Sequence, residues 1–125
     1  MNMDGNGVAM KELRELTLML HACADATRLR IVRLLADGQE ISVSDLTLLL
    51  RLSQPLVSWH LRILRRSGLI STRRIGRQAL YRLNRPGWDS LRAGLDQILL
   101  PPAAGWAADG APLLPALRQQ ETTVG

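Results

Sequence analysis

The spacing of apolar residues changes at Gly68, and this change limits the folds that the chain can adopt. Before Gly68, apolar residues recur every three or four positions, as they do along one face of an α-helix. After it, residues 69–74 and 78–83 have the pattern of two short strands. The glycine-containing segment 75–77 is expected to join them as a hairpin loop. The pattern therefore predicts a mainly α-helical protein with a small β-hairpin.

Polar capping residues divide the helical part of the chain into separate helices. Asp25, Ser42 and Ser53 are residue types that commonly cap helix N-termini. In the second and third helices, Leu29 and Leu49 are expected on the buried side. The predicted helices cover about residues 8–22, 26–36, 43–51, 54–67 and 87–100.

One domain is predicted over residues 8–100, between two tails. Residues 1–7 are polar and rich in Gly and Asn, so we expect a flexible N-terminal tail. Residues 101–125 form a Pro/Gly-rich C-terminal tail, because repeated prolines and glycines prevent a long regular element. Pro86 is expected to break the chain just before the last helix.

The charge of the chain is concentrated in one segment. The net charge is +5, and Lys11 is the only lysine among the basic residues. Nine arginines lie between Arg51 and Arg85, and no Asp or Glu occurs in that segment. Such local asymmetry is typical of a face that binds a polyanion such as nucleic acid, the alternative being a solvated basic surface.

Two short helices joined by a tight turn precede the basic hairpin, as in a winged helix-turn-helix. In that motif the second helix enters the major groove of DNA, so it needs an apolar back and a polar front. Residues 54–67 meet this requirement and are predicted to be the recognition helix. The hairpin, about residues 69–83, would then lie as a wing on the adjacent minor groove and its phosphates.

The polar side of this helix and the hairpin supply the candidate DNA contacts. Gln54 can pair with adenine, and Ser58 can bind a base or a phosphate. Pro55 and Trp59 can offer apolar surface to a thymine methyl group, whereas Arg66 and the other arginines suit phosphates. The predicted DNA-binding residues are Ser53, Gln54, Pro55, Ser58, Trp59, Arg62, Arg65, Arg73, Arg74, Arg77 and Gln78.

Several of these segments resemble the ArsR/SmtB-type family of transcriptional repressors. Asp25 to Ile31 resembles the start of that family's second helix, and Ser42 to Leu46 resembles the entry to its third. Leu52 to Leu61 resembles its recognition helix. The end of that helix and the wing are similar to Gly68 to Ile70 and Arg74 to Arg77.

This resemblance covers about residues 9–100 and implies a homodimer built by the first and last helices. It also implies that the dimer binds double-stranded DNA at an inverted-repeat operator, as a repressor that a signal releases. The apolar stripes of the two helices supply the candidate dimerisation residues, which are Leu13, Leu16, Leu20, Leu91, Leu95 and Ile98.

The chain departs from the family's metal-sensing members. Those members carry a Cys-x-Cys motif at the third helix, where this chain has Ser42 and Ser44, and serine is a poor ligand for soft metals. A second metal site in the family uses Asp and His on the last helix. Asp89 and Asp96 lie on that helix here, but it contains no His. We therefore predict no metal and no cofactor. The signal stays open: a small apolar molecule at the dimer interface, an unfamiliar metal set, oxidation of Cys23 between two chains, or none.

Other classes of function have little support in the sequence. The chain has no Gly-rich phosphate loop and no plausible catalytic triad, so it is not expected to be an enzyme. His60 is interpreted as a scaffold residue, because no second ligand is placed beside it. The single cysteine and the lack of a signal-peptide pattern favour a cytoplasmic protein with no membrane partner. The alternative function is a winged-helix protein-interaction module without specific DNA binding.

Overall fold

The computed structural model describes residues 10–100, which form five α-helices and a three-stranded antiparallel sheet. The helices are α1 (Met10–Cys23), α2 (Ala26–Leu35), α3 (Val43–Leu50), α4 (Gln54–Arg66) and α5 (Arg85–Leu99), and the strands are β1 (Ile41–Ser42), β2 (Ile70–Ile75) and β3 (Gln78–Leu83). This confirms the predicted architecture, with α3 and α4 as the helix-turn-helix and β2 and β3 as the hairpin. None of these helices has the length and apolarity that are needed to cross a membrane. The predicted tails at 1–7 and 101–125 lie outside the described residues.

Serine side chains begin both helices of the helix-turn-helix, as the sequence predicts. Ser42 Oγ accepts a hydrogen bond from the Asp45 backbone N–H at 3.1 Å, and Ser53 Oγ accepts one from the Leu56 N–H at 3.4 Å. Each bond satisfies a backbone donor that the first turn of a helix leaves without a partner. Arg51, which follows α3, has a φ of 56°, and this left-handed conformation turns the chain toward α4.

The sheet contains a third strand that the sequence pattern does not predict. Strand β1 consists of Ile41 and Ser42, and it pairs with β3 to give the order β1-β3-β2. Two residues are too few to show the alternation by which strands are recognised. The hairpin loop is shorter than predicted, because Ile75 pairs with Gln78 and so belongs to β2. Gly76 in the remaining tight turn has a φ of 60°, which glycine adopts without strain.

Helix α4 lies at the centre of the core, and the other elements pack around its apolar side. The prediction that Leu29 and Leu49 are buried is wrong, since 49% and 52% of their surfaces stay exposed. The short helices α2 and α3 carry more leucines than one helical face can bury, so some of them lie on the outer side. The buried apolar residues are Leu16, Ala22, Ile31, Leu35, Leu46, Leu50, Val57, Leu61, Leu64, Leu69, Ile70 and Leu91.

Helix α5 begins earlier than predicted and is anchored to the segment that connects α4 with β2. Pro86 lies in the first turn of α5, where the missing N–H costs no helical hydrogen bond, so it does not break the chain before the helix. Asn84 Nδ2 donates a hydrogen bond to the Gly68 carbonyl at 2.7 Å. Trp88 Nε1 donates another to the Leu69 carbonyl at 3.0 Å. These two bonds hold the start of the wing against α5.

Gly87 permits this close packing because it has no side chain. A Cβ atom at Gly87 would overlap the backbone carbonyl of Gly68, which cannot move freely. We expect Gly87→Ala to lower the free energy of unfolding by about 1–3 kcal/mol, the usual cost of overpacking. Urea unfolding measures this, with Ser90→Ala on the exposed side of the same helix as the control. The control should change stability by less than about 0.5 kcal/mol, and equal stabilities of the two variants would contradict the contact.

Candidate nucleic-acid interface

Helix α4 presents the predicted reading residues on the side opposite to its buried face. Val57, Leu61 and Leu64 point into the core and have no exposed surface. Gln54 lies exposed in the first turn, next to the equally exposed Ser53 and Pro55, and Ser58 is half-buried one turn further along. Trp59 keeps 49% of its surface exposed. The helical repeat thus separates the residues that hold α4 in place from those that are available to DNA.

A basic groove of about 430 Å³ lies between α4 and the hairpin. It is lined by Ser58, Arg62, Arg65 and Arg66 of α4 and by Tyr81 of β3. A neighbouring concavity of about 290 Å³ continues the groove along the hairpin, and it is lined by Arg65, Thr72, Arg73, Arg74, Ala79 and Tyr81. Within residues 10–100, none of these arginines except Arg73 forms an ion pair with an Asp or Glu. The charges of the others therefore remain available to phosphate groups.

The pairing register of the hairpin explains which wing residues reach the groove. Thr72 pairs with Tyr81 and Arg74 pairs with Ala79. Because side chains alternate across a strand, these four residues share the face that borders α4. Tyr81 is absent from the predicted contact residues. Its position two residues after Ala79 in a predicted strand was the signal that could have indicated a shared face.

Arg73 lines the edge of the 290 Å³ concavity, but its side chain extends from the opposite face of the hairpin to that of Arg74. Its Nε donates to Glu40 Oε2 and its Nη2 donates to Glu40 Oε1, both at 2.7 Å. These hydrogen bonds hold the pKa of the Glu40 carboxyl below its ordinary value, and Glu40 in turn raises the pKa of Arg73. The guanidinium of Arg73 is therefore paired with a carboxylate, whereas that of Arg74 has no such partner among the described residues. Arg77 in the turn and Gln78 at the start of β3 are both exposed at the tip of the wing.

A buried polar cluster lies behind the exposed side of α4. Arg28 is 5% exposed and His60 is 6% exposed. Arg28 Nη1 lies 3.3 Å from His60 Nδ1, and Asp25 Oδ2 lies 3.8 Å from the same nitrogen. The Arg28 side chain also reaches backbone carbonyls at the end of α1. His60 is thus part of the scaffold, but nothing in the sequence pattern marks Arg28 as its partner.

Residues 25–72, which run from the N-cap of α2 into β2, match the profile of the bacterial regulatory proteins of the arsR family. The arsenic resistance transcriptional regulator ArsR1 of Pseudomonas putida is 38% identical over 92 residues, which are 71% of this chain and 72% of that protein. The HTH-type transcriptional regulator Rv2034 of Mycobacterium tuberculosis is 37% identical over 86 residues, or 69% of this chain and 79% of that protein. The chain belongs to the ArsR family.

Solved structures related to this ArsR-family protein share its fold. HlyU from Vibrio cholerae superposes with a TM-score of 0.58 and 33% identity, over 72% of this chain and 97% of that chain. An ArsR family transcriptional regulator, RHA00566, superposes with a TM-score of 0.62 and 26% identity, over 69% of this chain and 88% of that chain. The family and the fold are those of DNA-binding transcriptional regulators and not of enzymes. Duplex DNA is therefore a partner of this protein, as predicted.

The positions where the resemblance implies metal-site cysteines have other surroundings in this ArsR-family chain. Ser42 is buried and its hydroxyl caps α3, whereas Ser44 is exposed on that helix. On α5, Asp89 lies 3.7 Å from Arg92 as an exposed ion pair. In the part of the chain that the structure describes, no three His, Cys, Asp or Glu side chains come together in a way that could hold a metal ion.

The candidate dimerisation residues of this ArsR-family protein differ in their exposure. Leu16 and Leu91 belong to the core of the protomer, with only 6% and 5% of their surfaces exposed. They support α1 and α5 from within and offer little surface to a second copy. Leu20 and Ile98, in contrast, are 42% and 43% exposed. The two remaining candidates are half-buried, namely Leu13 and Leu95.

Asp25 caps α2 with an ionised side chain, and this makes the stability of the fold depend on pH. The backbone N–H of Arg28 donates to its carboxylate at 3.0 Å and lowers the pKa of Asp25. A carboxyl whose pKa is lower in the folded state than in the unfolded state stabilises the fold at pH values above its unfolded pKa, which is about 4. That stabilisation is lost as the pH falls through the folded value.

We expect Asp25→Ala to lower the free energy of unfolding by about 0.5–2 kcal/mol at pH 7. The difference from the wild type should shrink as the pH falls below about 4, where the wild-type carboxylate becomes protonated. Urea unfolding at several pH values measures it. Asp25→Asn is the control, since an amide oxygen also caps a helix and should keep most of the stability at pH 7. A destabilisation of Asp25→Ala that is the same at pH 3 and pH 7 would contradict a charged cap.

Proposed function

We propose that this protein is a dimeric repressor that binds an inverted-repeat operator, with α4 in the major groove and the hairpin on the adjacent minor groove. The basic groove between α4 and the hairpin is the observation that carries the proposal. Its arginines surround a concave surface without a neutralising carboxylate among the described residues. Phosphate binding by such a surface supplies most of the sequence-independent affinity for DNA. A cytoplasmic location accords with this role.

Different parts of α4 have different roles in the proposed complex. Gln54, Ser58 and Trp59 face the base edges, because they lie on the exposed side toward the N-terminal end of the helix. The N-terminal part of a recognition helix is the part that enters the groove most deeply. Arg62, Arg65 and Arg66 lie further along and contact phosphates, joined by Arg74 of the wing. Arg77 at the wing tip is the residue proposed to enter the minor groove.

Exposed apolar residues on α1 and α5 support the proposed dimer. The two helices pack closely within the protomer, since a Cβ on Gly94 of α5 would lie 3.1 Å from Leu16 of α1. Leu18 is 61% exposed on α1, and Leu99 is 76% exposed at the end of α5. Leu20 and Ile98 are exposed as well, and exposed large apolar side chains on both helices are typical of surfaces that a second copy covers. A two-fold dimer would then place two recognition helices on successive turns of an operator.

Fluorescence anisotropy titration on duplex DNA tests the proposed function. The two duplexes are the promoter region of the protein's own gene and a scrambled sequence of the same length and composition. We expect the promoter duplex to bind at least about 10³-fold more tightly, as specific regulators do. Two protomers should bind each site. Equal binding to both duplexes would overturn the proposal and favour a winged-helix protein-interaction module.

The contrasting environments of Arg65 and Arg73 predict different effects on the salt dependence of operator binding. Arg65→Ala should weaken binding and reduce the magnitude of the slope of log K against log salt by about 0.9 for each lost phosphate contact. Arg73→Ala should leave the slope nearly unchanged, because its guanidinium is engaged with Glu40. The measurement is the anisotropy titration repeated between 50 and 200 mM salt. A larger change of slope for Arg73→Ala than for Arg65→Ala would contradict the proposed DNA-binding face.

A further inference from the structure

We propose that Arg28 is a positioning residue for DNA recognition, which fixes the orientation of Trp59 on α4 through its contact with His60. The inference rests on the proposed function, because it assigns Trp59 to the surface that reads DNA. Arg28 itself is buried and lies on α2, so it cannot contact DNA. Its effect on operator binding is therefore indirect.

The guanidinium of Arg28 is fixed to the end of α1. Arg28 Nε donates to the Ala22 carbonyl at 2.8 Å, and Nη2 donates to the His21 carbonyl at 3.3 Å. Both carbonyls lie in the last turn of α1, where the helix carries partial negative charge. A buried cation needs such partners, since an unpaired charge in the interior is costly. The position of Arg28 is consequently set by the end of α1.

The remaining branch of the guanidinium reaches α4. Arg28 Nη1 lies 3.3 Å from Nδ1 of His60. Because a guanidinium has donors only, His60 Nδ1 can take part in a hydrogen bond here only as the acceptor. Asp25 Oδ2 is 3.8 Å from the same nitrogen and accepts the backbone N–H of Arg28. The junction of α1 and α2 is thereby linked by polar contacts to the middle of the recognition helix.

Trp59 packs against two residues of this cluster, His60 and Arg28. Its ring packs edge-on against the His60 ring, with the centroids 5.0 Å apart and the planes at 66°. The central carbon of the Arg28 guanidinium lies 5.9 Å from the centroid of the Trp59 ring, within cation–π range. These contacts hold the inner side of the indole, while 49% of the side chain stays exposed toward the proposed DNA. An indole held in this way meets DNA with little loss of rotamer entropy.

Packing alone does not account for an arginine at position 28. Replacing buried charged groups by apolar residues of similar volume is often neutral or stabilising. The N–H groups of the Arg28 guanidinium can bond to α1 and α4 at the same time, which an apolar residue cannot do. The geometry therefore links the orientation of the reading surface to α1, one of the two helices proposed to form the dimer.

Variants of His60 test the inference, because they alter the link while leaving Arg28 bonded to α1. His60→Leu removes the acceptor, and we expect it to weaken operator binding roughly tenfold, the worth of one hydrogen bond to a charged group. Binding to the scrambled duplex should not change, since phosphate contacts are unaffected. His60→Gln can still offer an acceptor to Arg28 and should restore operator binding to within about threefold of the wild type.

Two further variants separate positioning from stability. Ile31→Val removes one buried methylene from α2 and costs about 0.5–1.5 kcal/mol of folding stability, yet it should bind the operator as the wild type does. Trp59→Leu alters a half-exposed residue, so it should fold even where His60→Leu does not. Trp59→Leu should weaken operator binding at least as much as the roughly tenfold loss expected for His60→Leu. All titrations are made where urea unfolding shows that each variant is folded.

The outcomes distinguish this inference from the proposed function. A selective operator loss in His60→Leu that His60→Gln rescues supports the inference. The inference is overturned if His60→Leu binds the operator as the wild type does, or if it loses affinity equally for both duplexes. It is also overturned if Ile31→Val loses as much operator affinity as His60→Leu. Unchanged operator binding by Trp59→Leu also overturns it. If the wild-type protein itself fails to discriminate the two duplexes, the proposed function and the inference fall together.

Discussion

The burial of one side of α4 is the constraint on which the rest of the molecule depends. Val57, Leu61 and Leu64 lose all contact with water, and the elements packed around α4 include α1, α2, α3 and β2. Each such side chain contributes about 1.5–3 kcal/mol when it is fully buried, so rotation of α4 about its axis is strongly opposed. Because the helix repeats every 3.6 residues, this packing also determines where Arg62 and Arg65 point. The arginines are oriented by apolar residues that never meet DNA.

The sheet extends this constraint from α4 to the wing. Strand β3 lies between β1 and β2, and β1 leads directly into α3. Ser42 therefore takes part in the sheet and caps α3 at the same time. On the other side, Trp88 and Asn84 bond the connection between α4 and β2 to the start of α5. The groove between Arg65 and Arg74 thus has walls that belong to one packed unit.

Local signals in the sequence were sufficient for the five helices and the hairpin, whereas the two-residue strand β1 and the contacts between distant residues could not be predicted. A capping serine bonds a backbone N–H three residues away, so the pattern is readable from neighbours alone. The contacts of Arg73 with Glu40 and of Arg28 with His60 join residues 33 and 32 positions apart. No periodicity marks such pairs, because they depend on how finished elements pack. For the same reason the alternation in β3 predicted a strand but did not show that Tyr81 would face α4.

The hairpin carries its arginines on a strand with one free edge. Among the described residues, β2 pairs only with β3, so its outer N–H and C=O groups have no partner strand. Free edges of this kind can pair with another chain and begin aggregation, and charged side chains on the edge oppose such pairing. Arg73 and Arg74 lie side by side there and point to opposite faces of the sheet. The charge of Arg74, which no carboxylate among the described residues neutralises, thus opposes pairing between the edges of two molecules, in addition to its proposed contact with phosphate.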